Sequence, residues 1–178
     1  TADVEGKTAW NNSVSSVILT GVWSDDIVAI AESQIGYSES TKNYTVTEAG
    51  DIKGYSRYGA WYGDAYGDWD AMFVAFCLNY SRIPRSYMPY DSSCERWVEL
   101  LSSQEFDYHS ANSYVPAKGD IAFFDIDSDG VSDHIGIVSA MSEKKDVRAS
   151  YKLRVIEGDS SDRVQYVTYD AHDACILG

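Results

Sequence analysis

The chain has 178 residues, 44% hydrophobic and 13% aromatic, which is enough for one domain with a sizeable core. Its formal charge is −14, from 14 Lys and Arg against 28 Asp and Glu. That balance excludes a nucleic-acid binder, which needs a cationic face, and argues against electrostatic docking on anionic membranes or wall polymers. The 14 tyrosines and five tryptophans suit a groove for carbohydrate or peptide, and equally an aromatic core. Three cysteines, Cys77, Cys94 and Cys175, form no CxxC pair, so zinc and thioredoxin-like chemistry are not indicated. Pairing of Cys94 with Cys175 stays open at this level. No signal peptide is visible, and Thr1 is not a natural start, so a processed piece is expected.

Residues 1–22 are rich in Ser, Thr and Asn, lack a clear period, and read as a linker or peripheral arm. Ser24 then offers a helix N-cap with Asp25 and Asp26 in the first turn. Ile27, Val28, Ile30, Ala31 and Ile35 follow on one face, and Gly36 closes the helix. Residues 37–68 hold many Gly and Tyr and little periodicity. Within them residues 54–63 read as a long aromatic loop, one wall of a groove.

A nearly unbroken apolar run follows from Ala71, too short for the roughly 20 residues that span a membrane. It reads as a buried helix beginning near Trp69 or Asp70. Asp70 then sits at the positive end of the helix dipole, where proteins place a nucleophile or an anion site. Asp91 or Ser92 caps a third helix that carries Cys94, Trp97, Val98, Leu100 and Leu101. Residues 119–124, 134–140, 153–157 and 163–169 read as strands, and residues 176–178 as a last one cut short. Helices first and strands afterwards predict an α+β domain, with helices packed on an antiparallel sheet.

His134 opens a strand after an acidic stretch and suits proton transfer near neutral pH. Glu157 and Asp159, two apart, share a face on an extended strand. A helix N-terminus, a strand-borne histidine and a polar residue on the next strand are the parts of a cysteine-hydrolase site. Composition alone does not assemble them.

Four blocks do. Gly67-Asp68-Trp69-x-Ala71-Met72-Phe73-Val74-x-Phe76-Cys77, Pro116-x-x-Gly119-Asp120-Ile121-x-Phe123-Phe124, Asp133-His134-Ile135-Gly136-Ile137-Val138 and Ile156-Glu157-Gly158-Asp159-Ser160 occur in this order. Together they resemble a CHAP domain, a cysteine, histidine-dependent amidohydrolase or peptidase of bacterial cell walls. Such domains are papain-like and related to the NlpC-type peptidases. The resemblance covers nearly all of residues 23–178, the CHAP-like catalytic domain. It implies a secreted or surface-bound amidase or endopeptidase acting on peptidoglycan. It also implies a monomer with no required cofactor and no membrane insertion. By resemblance His134 is the general base, and Glu157 and Asp159 are its orienting and polar partners. Tyr58, Trp61, Tyr62 and Trp69 would flank the cleft.

The family's nucleophile falls on position 70, where it is cysteine; here it is Asp70. Cysteine belongs there because the helix end and a nearby imidazolium lower the thiol pKa. Aspartate keeps the charge pattern but is a poor nucleophile toward an unactivated amide. Cys77 lies seven residues on, roughly 10 Å along the helix, and cannot take its place. Three explanations stay open: a substitution that traps an inactive form, a pseudoenzyme or surface interaction module that binds peptidoglycan without cutting, and an aspartate-driven hydrolase.

Asp125-Ile126-Asp127-Ser128-Asp129-Gly130-Val131-Ser132-Asp133 resembles the first half of a calcium loop, with Asp125, Asp127, Asp129 and Asp133 as candidate ligands. The bidentate Glu expected at position 136 is replaced by Gly. A structural Ca²⁺ and a polar hairpin turn are both compatible with this pattern.

Overall fold

The computed structural model of the chain describes residues 4–103, 106–142 and 150–178. Along them run helices α1 (Lys7–Ser13) and α2 (Trp23–Ser33), strands β1 (Tyr44–Val46) and β2 (Ile52–Gly54), helices α3 (Arg57–Tyr62), α4 (Asp70–Tyr80) and α5 (Cys94–Leu101), and strands β3 (Ile121–Phe124), β4 (His134–Met141), β5 (Lys152–Glu157) and β6 (Gln165–Asp170). The first two strands form a hairpin, and the last four an antiparallel sheet in chain order. The class is mixed α+β, as the order of the predicted elements implies.

Helix α4 is the centre of the packing. Its residues from Asp70 through Leu78 are all buried, which is why the sequence shows no amphipathic period there. It packs against α2, α3 and β4. Strand β4 is buried on both faces. Ile135 and Ile137 join the helical core, while Val138 joins Ala122, Phe124, Leu153 and Val155 on the other side of the sheet. Two glycines allow the close approach that builds the site. A Cβ on Gly158 would lie 2.5 Å from Phe73 Cβ of α4, and one on Gly136 would lie 2.4 Å from Val155 Cγ1.

Several local expectations need correction. Residues 7–13 are helical, and Trp10, Val14, Val17 and Leu19 pack on the main core, so the described part of 1–22 lies as a strap along the periphery of the domain. Arg57 and Tyr55 tie this strap down through Glu5. Helix α2 starts at Trp23 with Val22 at the cap position, two residues earlier than Ser24 would give. Asp26 instead turns back and accepts from Thr20 N, Thr20 Oγ1 and Gly21 N. Burial opposes its charge, but these donors hold the carboxyl below its ordinary value.

The stretch 54–63 is not a loop. Ser56 caps α3 by accepting from Gly59 N, and Gly63, at φ +119, ends it. The β1–β2 hairpin before it left no period in the sequence because its residues are largely exposed. Helix α5 is capped by Ser93, with Asp91 accepting from Ser93 N. All three cysteines are free, so Cys94 and Cys175 do not pair. The expected last strand is present as a short run beside β3, with Ile176 opposite Phe124. No helix among the described residues is long and apolar enough to cross a membrane.

Candidate functional site

The start of α4, the first residue of β4 and the last residue of β5 converge. Strand pairing places Gly136 opposite Glu157, so His134 and Glu157 project from the same face of the sheet. His134 Nε2 lies 3.0 Å from Glu157 Oε2, and His134 Nδ1 lies 3.1 Å from Asp70 Oδ2. Glu157 Oε1 accepts from the Tyr169 hydroxyl at 2.7 Å, and Cys94 Sγ donates to Asp70 Oδ2 at 3.3 Å. The five side chains form one continuous, largely buried hydrogen-bonded row.

Electrostatics fixes the protonation of its middle member. Burial disfavours a charged ring, but the bonds to Asp70 and Glu157 outweigh it and raise His134 to about 10. At neutral pH His134 is therefore an imidazolium, and both of its nitrogens donate to carboxylates. Burial pushes the Cys94 thiol well above its ordinary value, and Asp70 adds to that, so Cys94 is a donor and not a thiolate. Tyr169 is raised by burial and then by Glu157. Cys77 is fully buried and raised by that burial, in keeping with its place in the core.

Asp159 does not join this row. It sits at φ +55 just past β5, and its Oδ2 accepts from Trp69 N at 3.0 Å. It thus satisfies a backbone donor at the start of α4, beside Asp70. Burial raises its carboxyl to about 6; the Trp69 N–H opposes this, and the anions Asp70, Glu39 and Asp68 add to it. Glu39 holds the Trp69 indole through Oε2 at 3.0 Å and Gly54 N through Oε1. Glu39, Asp159 and Asp162 bring carboxylate oxygens within 4.8 Å of one another.

Of the four aromatic residues expected to flank a cleft, two lie in the interior and two are half-buried. Tyr58 and Trp69 are fully buried and stacked on each other, with ring centroids 5.2 Å apart, so neither offers a face to a ligand. Trp61 and Tyr62 are half-buried, and both pack against Tyr90. Trp61 also meets Phe76, six residues and roughly 9 Å along α4 from Asp70.

In the acidic turn, Asp125, Asp127 and Asp133 converge within 4.8 Å, and the Asp129 carboxylate caps Val131 N instead. Much of their acceptor capacity serves the loop itself. Asp125 takes Asp129 N and Gly130 N, and Asp133 takes Ile126 N and Asp127 N. Three of the four expected ligands therefore bring carboxylate oxygens together, and Asp129 is directed to Val131 N.

Sequence reasoning missed Cys94, Tyr169 and Glu39 as members of the site. Each reaches it through a contact distant in sequence, and none carried a local motif. Comparison with known proteins gives no match, whether to a family, to a curated protein or to a solved structure.

Proposed function

We propose that this chain is a papain-like domain of CHAP type that binds the peptide part of peptidoglycan and is hydrolytically silent, because Asp70 stands where a nucleophilic cysteine would. The Asp70–His134–Glu157 triad carries this reading. In a cysteine hydrolase the same geometry holds a thiolate beside an imidazolium. The thiolate attacks the amide carbonyl, N–H groups at the helix start stabilise the oxyanion, and the imidazolium protonates the leaving amine. Asp70 preserves the ion pair, and with it the fold. It is too weak a nucleophile for an unactivated amide, and His134 has no free nitrogen to serve as a base. Asp159 beside the helix start adds an anion that opposes a developing oxyanion. The amide addressed lies in the stem or cross-bridge peptides, or at the muramoyl–alanine link, and the domain works as a monomer in the wall or at the cell surface.

The test is Asp70→Cys. Cys94 Sγ lies 3.3 Å from Asp70 Oδ2, close enough to oxidise against a new thiol. The variant is therefore made with Cys94→Ser and assayed under reductant. Release of new amino termini from wall sacculi by the variant, with sedimentation but no cutting by the chain as given, is the expected result. Neither cutting nor sedimentation in any protein removes the reading. Cutting by the chain as given establishes an aspartate-driven hydrolase in its place.

On this reading Ca²⁺ is structural and outside the chemistry. Asp125, Asp127 and Asp133 would hold it and stiffen the turn that leads into His134. A flat calorimetric titration with Ca²⁺, and an unchanged melting temperature, would remove that part alone.

A further inference from the structure

Helix α4 ends in a left-handed turn. Arg82 N donates to Asn79 O, Ile83 N donates to Leu78 O, and Ser81 N and Oγ donate to Cys77 O. The residue that takes positive φ in this turn is Arg82, at φ +60. Glycine is the usual occupant of such a position, because a Cβ there crowds the backbone. The other non-glycine residues with positive φ are Ser128, Asp159, Ser161 and Asp162, all short and polar. Arg82 is the one long side chain among them, and the turn makes no use of it. Among the described residues Arg82 bonds only through its backbone N–H.

Its side chain instead lines a cavity of about 410 Å³ between the strap and the end of α4, a size that suits a small molecule. Val14, Val17 and Leu19 of the strap and Ile30 of α2 are its aliphatic walls. Ser15, Asn79, Tyr80 and Arg82 supply its polar atoms. Ser15 Oγ donates to Asn12 O, and the Tyr80 hydroxyl donates to Asn11 Oδ1, so those protons are engaged. The Asn79 side-chain amide, like the Arg82 guanidinium, bonds to nothing among the described residues. No Asp or Glu lines the cavity, in a chain with 28 Asp and Glu against 14 Lys and Arg. The carbonyls of Cys77, Leu78 and Asn79, which would repel an anion at a helix end, are already bonded. Neither Glu5, held at Tyr55, nor Gly178, held at Phe123, borders the cavity.

Aliphatic walls with a cation and an amide at one end match a carboxylate head on an alkyl tail. The guanidinium and the amide NH₂ donate to the carboxylate oxygens. A peptide would bring backbone N–H and C=O groups against walls that cannot pair them. An uncharged alcohol would use the walls and leave the cation unmatched. We propose that this cavity binds a medium-chain fatty-acid anion, with its carboxylate on Arg82 and Asn79 and its tail on Val14, Val17, Leu19 and Ile30. The site is independent of the hydrolase reading, since Asn79 is nine residues from Asp70, roughly 14 Å along α4.

The test is an amide NMR titration of the whole chain with sodium octanoate, octan-1-ol and N-acetyl-valyl-leucine. Octanoate is expected to shift Val14, Val17, Leu19 and Arg82 with a Kd of about 1 mM or tighter. At the same concentration octan-1-ol and the dipeptide should give shifts several-fold smaller. Arg82→Gly suits the left-handed turn, so its melting temperature should stay within about 4 °C of the parent's, while octanoate affinity falls about tenfold or more. No shift with octanoate at about 5 mM overturns the proposal. So does undiminished octanoate binding by Arg82→Gly, equal binding of octan-1-ol, or tighter binding of the dipeptide. If Arg82→Gly melts much lower, Arg82 serves the fold, and the comparison of octanoate with octan-1-ol, which needs no variant, decides.

Discussion

Two groups of carboxylates flank His134 and behave in opposite ways. Asp70, with Glu157, is buried and shares one cation, the His134 ring. The turn from Asp125 to Asp133, which leads into the same histidine, has no cation among its described hydrogen-bond partners. Asp127 shows the consequence. The N–H of Asp129 favours its charge, but partial loss of water and then crowding by Asp129, Asp133 and Asp125 leave its carboxyl above the ordinary value. Burial makes a charge pair decisive, because a charge without its partner is left in a poor solvent. Exposed Asp127 is nearly free to change, whereas Asp125, as buried as Asp70, is held by the N–H groups of Asp129 and Gly130.

That contrast can be broken most severely at His134. His134→Ala leaves Asp70 and Glu157 buried without a cation, and should cost about 3–5 kcal/mol in urea unfolding. A loss below about 1 kcal/mol would mean that water already solvates both carboxylates. Gly158→Ala should follow, at about 1–3 kcal/mol, because the added methyl meets Phe73 at the point where β5 approaches α4. Near-zero cost there would show that the close approach is not needed.

The pH dependence sharpens the comparison. His134 has a folded pKa raised to about 10, above the unfolded value of 6.5. Its contribution is therefore fully present below about pH 6.5 and is lost as pH rises through 10. Stability should fall across that window in the parent chain, and the His134→Ala chain should lose this slope. Asp159, raised to about 6, has the same sign at lower pH. Its contribution is present below about 4 and lost as pH rises through 6, so Asp159→Asn should flatten that window. The smallest effect belongs to the turn. Asp127→Asn should leave the melting temperature unchanged without Ca²⁺ and reduce any rise that Ca²⁺ produces.

Much of this arrangement is legible in the sequence because it is local. The apolar run that makes α4, the four strands and the position of His134 and Glu157 at strand ends all follow from period and turn residues. The rest depends on contacts across the chain. Tyr58 and Trp69 sit in an aromatic stretch whose composition suits a groove as well as a core, and only packing shows that they stack inside. Cys94 reaches Asp70 across 24 residues, and Asp159 is sent to the Trp69 N–H by a turn with positive φ. The strap at 4–22 is held by Glu5 on Arg57, a pair 52 residues apart that no window of local sequence contains.

At neutral pH His134 is a cation clamped between two carboxylates. An NMR titration of its ring resonances tests this directly. The ring is expected to stay protonated through pH 9, with a midpoint near 10. A midpoint near the unperturbed value of about 6.5 would contradict it, since the triad would then not exist in solution.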